Sequence, residues 1–335
     1  MKMHTIAMTL FFLAAVLAGQ AHAGAPAGPV AIAIHAGAGS MSREDSSPEI
    51  DAEIRATLEQ AVRAGHEVLT SGGSSLDAVS MAVTILEDAP FFNAGRGAVF
   101  NSEGVNELDA SIMDGRTLNA GAVAGVHNVR NPVLLARKVM SGSAHVMLAG
   151  PGAEAFAREQ GIVFEDDAYF RTERRWQQLQ EAKAMETAQA RREPDSWLST
   201  VGAVALDAQG NLAAATSTGG MTNKRWGRIG DVPVIGAGTY ADNNSCAVSA
   251  TGHGEYFIRA TAARDICARI EYTGASLQEA ADQVVMQKLV EMGGRGGIIA
   301  VDPQGHLSLT FNTSGMHRAS VDTEGELYIG IYNDE

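Results

Sequence analysis

The stretch 199–255 concentrates the residues of this chain that could do chemistry together. It combines hydroxyl side chains, closely spaced glycines and one pair of opposite charges. The candidates are Thr200, Thr216-Ser217-Thr218-Gly219-Gly220, Asn223, Arg228, Asp231, Gly236-Ala237-Gly238 and Thr251-Gly252-His253-Gly254-Glu255. Such groups are what an amide hydrolase needs when it has no Ser-His-Asp triad.

A threonine hydroxyl is a poor nucleophile and needs a base. When threonine is the first residue of a chain, its own α-amine, with a pKa of about 8, can take the proton. That chemistry requires a cleavage just before the threonine. Residues 165–195 hold 14 charged residues and no glycine, whereas 200–207 is a strand-like run that begins at a threonine. The change in composition predicts a cleavage at Ser199-Thr200.

Other chemistries have little support in the sequence. It contains no G-x-x-x-x-G-K-[ST], G-x-S-x-G or H-E-x-x-H pattern. The nine histidines form no obvious ligand pair, and surface or packing positions are expected for His66, His127, His145, His306 and His317. A net charge of −14 argues against nucleic acid or an anionic membrane surface as a partner.

Residues 1–23 have the pattern of a cleavable signal peptide. Lys2 precedes an apolar run over 6–19, which is followed by Ala21-His22-Ala23. The mature chain would begin at Gly24, in the periplasm or outside the cell. Export permits disulfides, and the two cysteines, Cys246 and Cys267, are compatible with one bridge or with two free thiols.

The elements that must position these residues follow from composition and periodicity. Apolar residues make up 45% of the chain, which excludes a disordered protein, and its 37 glycines suggest many close backbone approaches. The patterns predict a strand at 30–35 and helices at 50–72, from Ser74-Ser75 onward, near 131–140 and at 150–159. Residues 165–199 are predicted to be a solvated helix or a flexible linker.

Two segments, 201–221 and 296–316, resemble each other in sequence. Both fit a strand, an Asp-x-Gln-Gly turn, a second strand and a loop of threonine or serine with glycine. Two such hairpins predict antiparallel β layers with helices elsewhere, which is an α+β layered fold.

Residues 200–240, TVGAVALDAQGNLAAATSTGGMTNKRWGRIGDVPVIGAGTY, resemble the plant-type asparaginase/isoaspartyl peptidase family of N-terminal nucleophile hydrolases. Further motifs of this family are HAGAG (35–39), LEDAPFFNAGRGAVF (86–100), ELDASIMDG (107–115), AGAVAGV (120–126), RNPVLLAR (130–137) and TGHGE (251–255). The resemblance implies a four-layer αββα sandwich that is one structural domain. It also implies a precursor that cuts itself into an α chain, 24–199, and a β chain, 200–335, which pair as (αβ)2.

The resemblance also assigns roles to individual residues. Thr200 matches the nucleophile and Thr218 the threonine that orients it, while Thr251 and the backbone of Gly252 match the oxyanion hole. Arg228 matches the group that binds the substrate α-carboxylate. Asp231, helped by the Gly254 carbonyl, matches the partner of the α-amine. Asn93 matches a buried asparagine near the nucleophile and is predicted to be a substrate-binding residue.

No cofactor is implied for catalysis, but a structural sodium ion is. The backbone carbonyls expected to hold it belong to Leu86, Glu87, Ala89, Phe92, Ala94 and Arg96. The chain departs from the family at three positions: Ser199 stands where glycine or aspartate is usual, Ala36 replaces a glycine, and Arg96 replaces a small or apolar residue.

The function implied is that of a periplasmic β-aspartyl peptidase with L-asparaginase activity. Two alternatives remain: a glycosylasparaginase-like enzyme, and a non-catalytic periplasmic protein that binds acidic amino acids through Arg228 and Asp231. The expected partners are therefore small molecules, with no nucleic acid and no membrane after signal cleavage.

Overall fold

The computed structural model describes residues 28–188 and 199–335 of the chain. The predicted signal peptide, residues 1–23, and residues 189–198 of the predicted linker lie outside the described residues. Within those ranges, no helix is long and apolar enough to cross a membrane.

The described strands form two sheets. The strands are β1 (Ala31–Gly39), β2 (Leu108–Asp114), β3 (Ala120–Val126), β4 (Met147–Ala149), β5 (Val201–Leu206), β6 (Leu212–Thr218), β7 (Thr239–Ala241), β8 (Ala247–Gly252), β9 (Gly296–Val301), β10 (Leu307–Ser308), β11 (Gly315–Val321) and β12 (Leu327–Tyr332). The larger sheet has the order β12-β11-β1-β5-β6-β2-β3-β4, and the smaller has the order β10-β9-β8-β7.

Helices contact both sheets. They are α1 (Pro48–Thr70), α2 (Ser75–Asp88), α3 (Pro132–Gly142), α4 (Gly150–Glu159), α5 (Asp167–Phe170), α6 (Glu173–Ala188), α7 (Gly254–Ala260), α8 (Ala262–Thr273), α9 (Leu277–Asp282) and α10 (Leu289–Glu291), with a π-helical segment, Gln283–Lys288, between the last two. Helices α1, α2 and α3 contact the larger sheet, whereas α8 and α9 contact the smaller one.

Alternation along β1 shows how the apolar cores are divided. Ile32 and Ile34 pack with the buried faces of α1 and α2, while Ala31 and Ala33 point the other way and pack with β9 residues such as Ile299. A third core lies between the smaller sheet and α7 to α9. The structure therefore combines helices with two sheets that face each other, in agreement with the predicted α+β class.

The strand and the four helices predicted from periodicity are present as β1 and α1 to α4. Helix α1 illustrates the cause. Ser47 accepts a hydrogen bond from the Ile50 N–H, Pro48 occupies the first turn, and Ile54, Leu58 and Val62 form one buried face. Ser74 caps α2 in the same way.

Both predicted hairpins are confirmed as antiparallel pairs, but they lie in different sheets. Strands β5 and β6 pair in the larger sheet, whereas β9 and β10 pair in the smaller one. Each turn is built on an aspartate that accepts two backbone N–H groups, Asp207 in the first and Asp302 in the second.

Of the two predictions for residues 165–199, a solvated helix or a flexible linker, the helix is found as α5 (Asp167–Phe170) and α6 (Glu173–Ala188). Helix α6 is not solvated on every face, because its Arg175 and Leu179 are buried. Arg175 donates hydrogen bonds to the Gly97 and Phe91 carbonyls at 2.7 and 3.3 Å. The charged composition did not indicate this buried face, because one of the arginines of the helix points inward onto backbone carbonyls.

The two cysteines form a disulfide, Cys246–Cys267, so the alternative of two free thiols is wrong. The bridge ties the residue before β8 to the buried face of α8. The two cysteines are 21 positions apart in the sequence, and the segment between them includes β8, which ends in Thr251 and Gly252.

Candidate active site

The β5–β6 hairpin brings the two central threonines together. Val201 pairs with Ser217 in its register, so Thr200, one residue earlier, lies opposite Thr218. The Thr200 Oγ1 donates to the Thr218 Oγ1 at 3.0 Å, and both side chains are buried. Thr218 also accepts the Gly220 N–H at 3.0 Å. The nucleophile candidate thus lies beside a second buried hydroxyl.

Ser199, the residue before Thr200, lies against a turn of β1. The register between β1 and β11 shifts between His35 and Ala38, and Gly37 in this bulge has a φ of +113°. A Cβ on Gly37 would come within 2.6 Å of the Cα of Ser199. Ala36 is not among the residues with positive φ, so the alanine that replaces the family's glycine carries no strain there.

His35 holds the backbone of Thr200, a contact that the sequence did not reveal. Its Nδ1 lies 2.9 Å from the Thr200 carbonyl oxygen, and its Nε2 lies 2.9 Å from the Ser249 Oγ. Burial lowers the pKa of His35 to about 3, against a smaller rise from the Thr200 hydrogen bond. The ring is therefore neutral; because a carbonyl can only accept, Nδ1 carries the proton.

The predicted oxyanion-hole residues end β8 in the smaller sheet. Thr251 is buried and accepts the Ala38 N–H at 3.4 Å, which joins it to the β1 bulge. Gly252 has a φ of +146°, and a Cβ there would meet Gly296 at 2.7 Å. Only glycine fits this position, so its N–H can be presented beside the Thr251 hydroxyl. Their catalytic role stays a prediction.

Arg228, Asp231 and Gly254 converge at the N-terminus of α7. A Cβ on Gly254 would lie 2.7 Å from the Asp231 Oδ1 and 3.0 Å from the Arg228 Nη2. Glu255 holds Arg228 through two hydrogen bonds of 2.9 Å, to Nε and Nη2. Glu255 lies in the TGHGE motif, but the sequence analysis assigned it no role. In the structure, Glu255 is the residue that orients the Arg228 guanidinium.

Asp231 is a buried carboxylate prepared for a cationic partner. Its Oδ2 is buried and accepts no hydrogen bond from the described residues. Burial raises the pKa of Asp231 to about 7, although the Arg228 charge opposes that rise. An ammonium group on a ligand would supply the missing donor and favour the ionised carboxylate.

Asn93 braces the loop that follows Thr218. Its Nδ2 donates to the Gly220 carbonyl at 2.7 Å, its Oδ1 accepts the Val99 N–H at 2.9 Å, and its carbonyl accepts the Gly219 N–H at 3.0 Å. These contacts give Asn93 a positioning part, whereas its predicted contact with substrate stays untested.

The loop predicted to wrap sodium folds tightly on its glycines. The Glu87 carbonyl oxygen lies 2.5 Å from where a Cβ on Gly95 would be, and the Phe92 carbonyl faces Gly97 still more closely. Carbonyl oxygens are the ligands that a hard cation prefers, and Glu87 and Phe92 are two of the predicted sodium ligands. The carbonyls of Leu86 and Ala94 accept backbone N–H groups within the loop.

The other two predicted sodium ligands, the carbonyls of Ala89 and Arg96, belong to the same loop. The Arg96 guanidinium lies over the Tyr169 ring, 5.4 Å from its centroid. Residues 28–188 and 199–335 contain no group of three His, Cys, Asp or Glu residues that could hold a metal ion. The sodium site stays a prediction.

Comparison with known proteins agrees with this assembly of residues. A sequence model of the asparaginase family matches residues 28–331. The isoaspartyl peptidase of Escherichia coli (strain K12) is 50% identical over 313 residues, which cover 92% of this chain and 98% of that protein. The isoaspartyl peptidase of Salmonella typhimurium is 52% identical over 90% of this chain and 98% of its own.

A vertebrate relative extends the similarity. The isoaspartyl peptidase/L-asparaginase of Xenopus laevis is 44% identical over 91% of this chain and 96% of its own. Similarity of this extent covers both sheets and all the candidate site residues. The chain therefore belongs to the asparaginase family of N-terminal nucleophile hydrolases and is an amide hydrolase.

Proposed function

We propose that this protein is a self-cleaving N-terminal threonine hydrolase that acts on β-aspartyl dipeptides and L-asparagine and releases L-aspartate. The observation that carries the proposal is the buried Thr200–Thr218 hydroxyl pair in the same fold as the Arg228–Asp231 pair at Gly254. The printed names of the relatives, isoaspartyl peptidase and isoaspartyl peptidase/L-asparaginase, support this substrate class.

The substrate head would be held by its two charges. Arg228 pairs with the α-carboxylate, and the planar guanidinium suits that group. Asp231 receives the α-ammonium. An aspartyl residue fixed at both charges presents its β-amide toward Thr200, which distinguishes it from an ordinary α-linked peptide.

Turnover would then proceed in two steps. The Thr200 oxygen attacks the β-amide carbon while its proton passes to the Thr200 α-amine, and Thr251 with the Gly252 N–H stabilises the oxyanion. Collapse expels ammonia or the C-terminal amino acid, which takes up that proton. Water then hydrolyses the threonyl ester and releases L-aspartate.

Self-cleavage would use the same hydroxyl. The Thr200 oxygen attacks the Ser199 carbonyl carbon, the bond to the Thr200 nitrogen breaks, and water hydrolyses the resulting ester. The contact of Ser199 with Gly37 and the hydrogen bond from His35 to Thr200 fix both sides of this bond. Cleavage frees the α-amine that later turnover needs.

The further parts of the proposal are the four-layer αββα arrangement, the pairing of cleaved chains as (αβ)2, and export by the predicted signal peptide. Helices on both sheets and a core between the sheets support the layer order. The Cys246–Cys267 bridge supports an oxidising location, because disulfides persist in the periplasm and outside the cell.

Thr200→Ala tests the mechanism. The wild type should separate into chains of about 18 and about 14 kDa, in proportion to residues 24–199 and 200–335 of the 35.1 kDa whole, with Thr200 as a new N-terminus. The variant should stay uncut and release no ammonia from L-asparagine. Thr70→Ala, at the exposed C-terminal end of α1, is the matched control and should behave as wild type.

Mass spectrometry and an ammonia assay are sufficient measurements. An uncut wild type with full activity would overturn the mechanism. A cleaved wild type with no turnover of either substrate would retain self-cleavage but overturn the proposed substrates.

A further inference from the structure

Asp109 of β2 has a buried carboxylate that the proposed mechanism does not use. The residue is 0% exposed. Its Oδ1 accepts the Gly125 N–H at 2.8 Å, while its Oδ2 is buried and accepts no hydrogen bond from the described residues. Leaving a buried charged oxygen without a donor is costly, so the second oxygen indicates a donor supplied by a ligand.

The position of Asp109 in the larger sheet places it in line with the nucleophile. Strands β5, β6 and β2 are neighbours, Thr200 lies opposite Thr218, and Thr218 pairs with Asp109. Directly paired residues of antiparallel strands point to the same face. The three side chains therefore form a row on the face where Thr200 meets Thr218.

The length of that row matches the proposed substrate head. Neighbouring strands are about 4.8 Å apart, so the backbones of Thr200 and Asp109 are separated by about 10 Å. The substrate would cover a similar span in three parts. They are an attack distance of about 3 Å from the Thr200 oxygen to the amide carbon, the three bonds from that carbon to the α-nitrogen, and one hydrogen bond from the α-nitrogen to the Asp109 oxygen.

Charges around Asp109 link it to the other substrate-binding residues. Burial raises the pKa of Asp109, while the charges of Lys224 and Arg228 oppose the rise, and Asp109 in turn contributes to the raised pKa of Asp231. The Lys224 side chain is only 2% exposed, with its Nζ 3.4 Å from the Glu107 Oε2. Two carboxylates and two cations thus act on one another inside the protein.

We propose that Asp109 is a second carboxylate of the substrate site, whose Oδ2 accepts a hydrogen bond from the α-ammonium that Asp231 also binds. This assignment rests on the proposed function. It adds a substrate-binding residue from β2, on the opposite side of Thr218 from the nucleophile. Asp109 contacts the substrate amine and not the amide that reacts, so its loss should weaken binding and leave the chemistry of bound substrate nearly intact.

The test is calorimetric binding of L-aspartate and of succinate, which is the same molecule without its amine, to cleaved wild type and to Asp109→Asn. One charge-assisted hydrogen bond is worth about 10- to 100-fold in affinity. The variant should lose that factor for L-aspartate and change by less than about threefold for succinate. Asp231→Asn should show the same selective loss.

Asp114→Asn is the matched control, because Asp114 ends the same strand and the contacts of its carboxylate are with Arg116 and Thr117 of the following turn. It should bind both ligands as wild type does. An equal loss of both ligands in Asp109→Asn, or no loss, would overturn the assignment. Failure of both Asp109→Asn and Asp109→Ser to fold would make Asp109 a scaffold residue and overturn it as well. Because binding is read without turnover, wild-type turnover separately tests the proposed function.

Discussion

At the scale of single residues, the site depends on buried groups whose partners are incomplete. Asp231 keeps one carboxylate oxygen without a donor, and Glu255 occupies two nitrogens of Arg228 from the solvent side. Such an arrangement costs stability in the free protein. The proposed substrate, which carries both a carboxylate and an ammonium, would offset that cost.

The raised pKa of Asp231 predicts pH-dependent binding. Its folded-state pKa of about 7 lies above the ordinary value of 3.8, so protonation at lower pH removes the acceptor of the ammonium. Affinity for L-aspartate should fall by up to about tenfold per pH unit below pH 7, while affinity for succinate should not show this fall. Calorimetry from about pH 5 to about pH 8 measures both.

The same shift has a consequence for stability, with a defined sign. A carboxyl whose pKa is raised on folding favours the folded state at pH below 3.8, and this contribution is lost as the pH rises toward about 7.

The variant Asp231→Asn tests the predicted pH dependence of binding. It should remove the part of the pH dependence of L-aspartate binding that the Asp231 carboxyl causes. A pH profile for L-aspartate that parallels the profile for succinate would contradict the assignment.

At the scale of elements, the β1 bulge links the larger sheet to the bond that should be cut. In the bulge, Gly37 has a positive φ, a backbone conformation that residues with a side chain rarely adopt. It packs closely against Ser199. The bulge also brings the Ala38 N–H to Thr251. One irregularity in a central strand therefore contacts residues on both sides of the future active site.

Gly37→Ala should slow self-cleavage by at least about tenfold, because the new Cβ would overlap Ser199 and displace the chain before Thr200. Gly152→Ala is the matched control, since nothing lies within 4 Å of a Cβ there. A time course of fragment formation on gels measures both rates. Cleavage of Gly37→Ala at the wild-type rate would show that Ser199 does not need this contact.

At the scale of the whole molecule, one covalent link fixes the smaller sheet to its helices. The 21-residue separation of Cys246 and Cys267 predicts a stabilisation of about 3 kcal/mol from the restricted unfolded chain. In a Cys246→Ser/Cys267→Ser variant the free energy of unfolding should be lower by that amount. The variant should therefore unfold at a lower urea concentration. Urea unfolding followed by circular dichroism measures it.

A control for the disulfide is the wild type treated with a thiol reductant, which should approach the stability of the double variant. Equal stability of the oxidised wild type and the double variant would show that the bridge adds nothing. Because Cys246 directly precedes β8, loss of the disulfide should also make the position of Thr251 less fixed and lower turnover.

Much of this architecture could be predicted from the chain itself. Helical periodicity and capping serines locate α1 and α2, and the Asp-x-Gln-Gly turns locate two hairpins. The motifs identify Thr200, Thr218, Arg228 and Asp231, because each is a residue type with recognisable chemistry. Local pattern is sufficient where neighbours in sequence are also neighbours in space.

Other features depended on contacts between distant segments. His35 and Asp109 lie inside quoted motifs, yet their partners are 165 and 109 positions away, at Thr200 and Thr218. Arg175 lies in a charged run typical of solvated chain, but its guanidinium is buried on the carbonyls of the 91–97 loop. Composition cannot indicate which member of such a run turns inward.

The sequence by itself determined the family, the residue types of the site and the position of the expected cut, because these are properties of local pattern and chemical type. The tertiary structure decided which groups meet. It joined the two cysteines, placed the hairpins in separate sheets, set His35 on Thr200 and aligned Asp109 with Thr218 and Thr200. Strand register and burial determine those contacts, and both arise only when distant segments pack into one core.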